Sequence, residues 1–138
     1  MIPAAALIAQ ARQWVGVPFI HQGRARHGAD CLGFVAAMAA ELGSRVLLEH
    51  LPGNYARDPQ ARLLNGMTDL CRTIDLEPAA LVLFQFPQSK FPSHAAIYTG
   101  ESIIHAFARV GKVVETTYGQ PWLRLAHSVW ALPLVVYT

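Results

Sequence analysis

Charge is scarce in this sequence: Asp, Glu, Lys and Arg make up 14% of its 138 residues and leave a formal net charge of +2. The basic residues are scattered apart from Arg24, Arg26 and His27, so no stripe follows a phosphate backbone and nucleic acid is not an expected partner. Those three residues mark at most a place for a local anion. Cysteine is scarce too. Cys31 and Cys71 are the only two, and a disulfide would consume the one thiol whose setting looks reactive, so two free thiols are expected. There is no Cys-x-x-Cys or His-x-x-x-His pair, and neither a metal nor any other cofactor is expected. The apolar start Met1-Ile2-Pro3-Ala4-Ala5-Ala6-Leu7-Ile8 lacks a basic flank and breaks at Gln10 and Arg12. Neither a signal peptide nor membrane insertion is therefore expected, and the product is expected to be made in the cytoplasm. Internal repeats and low-complexity segments are also missing.

Apolar residues, by contrast, are plentiful at 53%. A chain of this length buries roughly two thirds of its unfolded surface, so residues 1–138 are expected to form one domain. The high apolar fraction points to a dense core and to some surface covered by a partner. Helical spacing dominates the first half. Pro3 starts a helix with Leu7, Ala11, Trp14 and Val15 on one side, which stops at Gly16-Val17-Pro18. After a loop from Phe19 to Ala29, Leu32, Val35, Ala39 and Leu42 form the stripe of a second helix, with Asp30 as N-cap and Gly43 at its C-terminal end. A turn-rich crossing, Leu51 to Tyr55, leads to a third helix from Asp58-Pro59 to about Ile74. There Cys71 shares a stripe with Leu63, Met67, Leu70 and Ile74 and reads as a small core residue.

From Ala79 onward β-branched and aromatic runs predict strands over Ala80–Phe86, His94–Thr99, Ser102–Phe107, Val110–Thr117 and Val129–Tyr137. Tight connections at Gly100-Glu101 and at Arg109 to Lys112 make the sheet an antiparallel meander of about five strands. Pro121 to Arg124 reads as one helical turn. Helices first and strands afterwards give an α+β class, with the helices packed on one face of the sheet.

The chemistry converges on Cys31. As the first helical residue behind Asp30 it meets unpaired backbone N–H groups and the positive end of the helix dipole, which favour thiolate over thiol. A cysteine nucleophile also needs a base, and the base an orienting partner. His94 opens one strand and His105 lies on the next beyond the Gly100 turn, so an antiparallel pair can bring both to the same end of the sheet.

These residues resemble the NlpC-type cysteine peptidases of bacterial cell-wall turnover. That family has a G-x-P-Y loop, D-C-S-G-F at a helix start, a strand opening with His and a polar residue on the following strand. The counterparts here are Gly16-Val17-Pro18-Phe19, Asp30-Cys31-Leu32-Gly33-Phe34, Ser93-His94-Ala95-Ala96-Ile97-Tyr98 and Ile104-His105-Ala106. The resemblance implies a papain-like fold, with Cys31 as nucleophile, His94 as base and His105 as orienting residue. The implied substrate is a peptidoglycan stem peptide cut at a γ-D-glutamyl to diamino-acid amide. His21-Gln22-Gly23-Arg24 together with Asp30-Cys31-Leu32-Gly33 looks most like the small branch encoded among phage tail and gene-transfer-particle genes. That likeness implies tail or tail-tip proteins as partners and delivery to the cell wall within a particle.

Three positions depart from the family pattern. Phe19 stands where the family has a tyrosine whose hydroxyl faces the reacting carbonyl, and His21 is a candidate to replace that contact, with Asp30 the remaining polar residue beside the nucleophile. Ala79-Ala80 replaces Gly-Asp ahead of a strand, and Leu32 replaces the serine after the cysteine. Two rival readings use the same residues. One is a structural tail-tip component of weak or absent activity, and the other is an acyltransferase or amide hydrolase acting on a lipid or small molecule.

Overall fold

The computed structural model describes residues 1–51 and 69–138. The chain runs through β1 (Ile2–Pro3), α1 (Ala4–Arg12), the hairpin β2 (Arg24–Ala25) and β3 (Gly28–Ala29), α2 (Cys31–Glu41) and α3 (Val46–His50). There follow β4 (Arg72–Thr73), β5 (Leu81–Phe84), β6 (His94–Tyr98), β7 (Ser102–Phe107) and β8 (Lys112–Thr117). A short helix, Trp122–Leu125, precedes β9 (Ala126–Ala131) and β10 (Val135–Val136). Among the described residues no helix is long and apolar enough to cross a membrane.

The expected α+β arrangement is present, with an antiparallel sheet of six strands rather than five, ordered β4-β9-β5-β6-β7-β8. Strands β5 to β8 form the predicted meander. The last long strand does not extend it, because β9 returns to the opposite side of β5 and pairs there and with β4. The strand predicted over Val129–Tyr137 begins earlier, at Ala126, ends at Ala131, and resumes as β10 only to pair in parallel with β1. The predicted third helix lies largely outside the described residues, as does the crossing after Leu51. Its visible end is at Leu70, and Arg72–Thr73 is strand. Helical periodicity through Ile74 failed there because an edge strand of two exposed residues takes its conformation from β9 and has no pattern of its own.

α2 runs against β6 and β7. Gly33 to Ala39 are buried without a break, so the helix is surrounded, as expected of one that is apolar on every side. Leu32 and Leu42, the ends of the predicted stripe, are only partly buried. The predicted cap is in place: the Gly33 N–H donates to Asp30 Oδ1 at 2.7 Å and the Gln22 N–H to Oδ2 at 3.1 Å. At the other end Gly43 takes a φ of +99°, where a side chain would be strained. α1 contributes Leu7, Ile8 and Ala11 to the same core and Trp14 follows it inside, while Val15 points outward at 47% exposure.

Strand alternation sorts residues between two faces. Leu81, Leu83, Ala95, Ile97, Ile104 and Ala106 join the helices in the large core. Val82, Phe84, Ala96 and Ile103 form a smaller cluster on the other face, covered by Tyr98, Tyr118, Trp122, Leu125 and Val129. The sheet is thus covered on both sides, which is why β5 is an unbroken apolar run.

The loop that carries Cys31 is tied to the helices by one carboxylate. Glu41 accepts from Arg26 Nε at 2.8 Å, Trp14 Nε1 at 2.7 Å and Gln10 Nε2 at 2.9 Å, and the Arg26 guanidinium lies 4.9 Å from the Trp14 ring centre. The hydrogen bond from Arg26 is the main cause that holds the Glu41 carboxyl down at about 2. Arg26 is thus engaged in bracing the β2–β3 hairpin.

Candidate active site

Pairing between β6 and β7 is limited to Ile97↔Ile104 and Tyr98↔Ile103, so the two strands part at the beginning of β6. The N-terminus of α2 places Cys31 at this opening. Its thiol lies 3.9 Å from the Ser93 carbonyl oxygen, and the Ala95 backbone N–H faces the sulfur from the other side of His94. The backbone N–H groups of Cys31 and Leu32 also point to the sulfur. His94 and His105 are diagonal neighbours on the face away from α2, and His94 Nε2 meets His105 Nδ1 at 2.7 Å. The Thr116 hydroxyl on β8 lies 3.4 Å from His105 Nε2. The structure therefore pairs His94 with His105 and sets the Cys31 sulfur against the backbone beside His94.

Sequence reading missed the aromatic wall around the two imidazoles. His94 has ring neighbours Phe84 at 5.9 Å, Phe86 at 5.9 Å, Phe107 at 5.4 Å and Trp122 at 5.5 Å. His105 stacks on Phe107 at 5.2 Å and meets Trp122 edge-on at 4.9 Å. Strand alternation could have found Phe107, two residues after His105, and the Phe84/Phe86 pair opposite His94. No local signal leads to Trp122.

Burial decides the protonation states. Desolvation, with His105 as a second cause, pushes His94 down to about 3, and desolvation pushes His105 down to about 4. Desolvation followed by the Asp30 carboxylate pushes the Cys31 thiol up to about 12, against the pull of the backbone N–H groups of Ala95, Leu32 and Cys31. Burial thus works against the expected thiolate at Cys31 and against a charged imidazole at His94. Both thiols are free, and burial likewise raises Cys71, to about 11. Among the described residues no group of three His, Cys, Asp or Glu side chains could hold a metal ion.

Two imidazoles kept neutral by burial make stability depend on pH. Their folded pKa values lie below the unfolded value near 6.5, so the unfolded chain binds more protons as pH falls below that point. Their contribution is complete above about pH 6.5 and is lost toward pH 3 to 4, at about 1 kcal/mol per histidine per pH unit. Glu41 acts in a lower window, between 4.5 and about 2. The thermal midpoint is therefore expected to fall clearly between pH 6.5 and 5, and to fall less in His105→Asn. Calorimetry showing a flat midpoint over that interval contradicts the buried neutral pair.

No family model matches the sequence, and no curated protein matches it. Solved structures do match. An NlpC/P60 family protein from Bacillus cereus superposes with a TM-score of 0.68 at 23% identity, over 91% of this chain and 39% of that one. The NlpC/p60 domain of peptidoglycan hydrolase SagA gives 0.66 at 20% identity, over 94% and 98%. The peptidoglycan hydrolase RipB from Mycobacterium tuberculosis gives 0.61 at 17%, over 94% and 64%. The fold is that of NlpC/P60 domains.

In this NlpC/P60 fold the remaining candidates separate. Phe19 forms a bridge with Ala29, its N–H donates to the Gly111 carbonyl at 2.8 Å, and its ring packs partly buried against the large core. His21 is exposed. Asp30, buried at 6% exposure, is taken up by capping α2 and holding the Gln22 N–H, so its role is to shape the loop.

Proposed function

We propose that this chain is a cysteine peptidase of peptidoglycan, with Cys31 as nucleophile, His94 as general base and His105 orienting the base. The observation that carries this reading is the Cys31 sulfur lodged against the backbone on both sides of His94, whose ring nitrogen Nε2 is held by His105 at 2.7 Å. The substrate class is supported by the peptidoglycan hydrolases that share the NlpC/P60 fold. The γ-D-glutamyl to diamino-acid bond is supported by the motif resemblance alone. The same holds for a place in a phage tail, where the chain would be made in the host cytoplasm and act at the wall alongside tail-tip proteins.

With Nε2 bonded to His105, Nδ1 of His94 is left to take the thiol proton. As sulfur attacks the carbonyl carbon, the S–C bond forms, the proton passes to Nδ1, and the carbonyl electron pair moves onto oxygen, where the Cys31 backbone N–H stabilises it. Collapse breaks the C–N bond while His94 hands the proton to the leaving amine. Water, deprotonated by His94, then attacks the thioester; the C–S bond breaks and sulfur regains its proton.

Digestion of purified muropeptides with mass readout tests the proposal. The expected result is a pair of fragments whose masses sum to substrate plus one water, with the break after the D-glutamyl residue. Intact muropeptides after incubation with folded protein favour the structural tail-tip reading. Phe19→Tyr restores the family hydroxyl in nearly the same shape and is expected to raise kcat by about tenfold, part of the 10²–10³ that an oxyanion donor supplies. An unchanged kcat means that His21 or backbone groups already fill that role.

A further inference from the structure

We propose that Trp122 is a positioning residue for the His94–His105 pair: its indole closes the face of the sheet on which the pair lies and holds the two rings in the arrangement their hydrogen bond requires. The inference rests on the reading of Cys31, His94 and His105 as the reacting group, but its main test needs no substrate.

Trp122 lies within 4.9 to 6.3 Å, centre to centre, of all five rings that build the wall: Phe84, Phe86, His94, His105 and Phe107. No other aromatic among the described residues meets both histidines and all three phenylalanines. It is edge-on to His105 at 84° and tilted 32° to His94, so one side chain bounds the space beside both imidazoles. His94 and His105 are 5% and 0% exposed, whereas Trp122 is only half-buried, which makes it an outer member of the wall. It stands on a single helical turn whose other contribution to the small core is Leu125.

Removing the indole would let water compete for the Nε2 to Nδ1 hydrogen bond and free the His94 ring to leave the orientation in which Nδ1 is presented for proton transfer. The polar groups facing the pair are few: each ring faces the other, the Thr116 hydroxyl on β8 faces His105, the Cys31 thiol on α2 lies against the His94 backbone, and Tyr118 reaches Phe84 one ring away.

Histidine ring NMR on the full chain, comparing wild type with Trp122→Ala and Trp122→Phe, reads tautomer and titration directly. Trp122→Ala is expected to lose the slowly exchanging ring N–H of the pair and to move both midpoints to within about one unit of free histidine. Trp122→Phe should keep the ring N–H. On muropeptides, kcat of Trp122→Ala should fall by about tenfold or more with KM changed less than about threefold, and Trp122→Phe should recover most of it. Wild-type ring signals and midpoints in folded Trp122→Ala overturn the proposal. If the alanine variant does not fold, Trp122→Phe decides: midpoints raised by about half a unit support the role, and wild-type midpoints overturn it. Shifted titration in a protein that cleaves no muropeptide sinks the peptidase reading and leaves Trp122 as the residue that orders the pair. Cleavage with unshifted titration does the reverse.

Discussion

Gly33→Ala is expected to destabilise the protein by about 3 kcal/mol or more, the upper range for overpacking a tight site. A Cβ at Gly33 would overlap the carbonyl oxygen of Gly23, a backbone atom, and come within 3.0 Å of Asp30 Oδ1. Gly23 cannot retreat easily. Its N–H donates to Ile20 O at 2.8 Å, its carbonyl accepts from the Asp30 N–H at 3.1 Å, and its own Cα faces Gly28 O so closely that a Cβ there would sit at 2.5 Å. Relief must come from pushing the loop off the start of α2, which moves Cys31. The thermal midpoint should drop by about 10 °C for a domain of this size, and any folded fraction should cleave muropeptides poorly. Leu32→Ala, at the partly buried neighbouring position, is the control. A Gly33→Ala midpoint within about 2 °C of wild type would show that the loop gives way more readily than these contacts imply.

The second large effect separates the two histidines. His94→Ala removes the group that takes and returns the proton and should lower kcat/KM by about 10³–10⁴, to the level of Cys31→Ala. His105→Asn keeps a carbonyl oxygen able to accept from His94 Nε2–H, so a loss of about 10–10² is expected, the base being less well held but present. Steady-state kinetics on one muropeptide decides. Equal activity of His94→Ala and wild type removes His94 from the mechanism, and a His105→Asn loss as deep as His94→Ala gives His105 more than an orienting role.

What could be read in the sequence was what local chemistry dictates. The Asp30 cap, the start of α2 at Cys31, the turn at Gly100 and the meeting of His94 with His105 follow from capping, turn geometry and register over eleven residues. β4 and the return of β9 to β5 did not, because Arg72–Thr73 is exposed and β9 opens with exposed Ala126 and His127, so neither carries alternation. Of the aromatic wall, Phe84, Phe86 and Phe107 lay within reach of strand alternation, whereas Trp122 joins it only through the tertiary fold. At Cys31 two effects oppose one another. The N–H groups at the start of α2 do point to the sulfur, but a helix terminus contributes about 0.3–1 kcal/mol, less than one pKa unit, whereas burial can move a thiol by several.

The parted ladder between β6 and β7 also has a cost beyond the reaction. Backbone donors and acceptors that could have zipped with a neighbouring strand are turned instead toward a sulfur atom, a weaker partner than an amide. Stability alone would favour closing that seam, and each further pair formed between β6 and β7 would evict the thiol from its place against the backbone beside His94. Screens of this chain for heat resistance would therefore tend to collect variants that heal the sheet and go silent, a conflict between durability and turnover set by how far one strand pair is allowed to close.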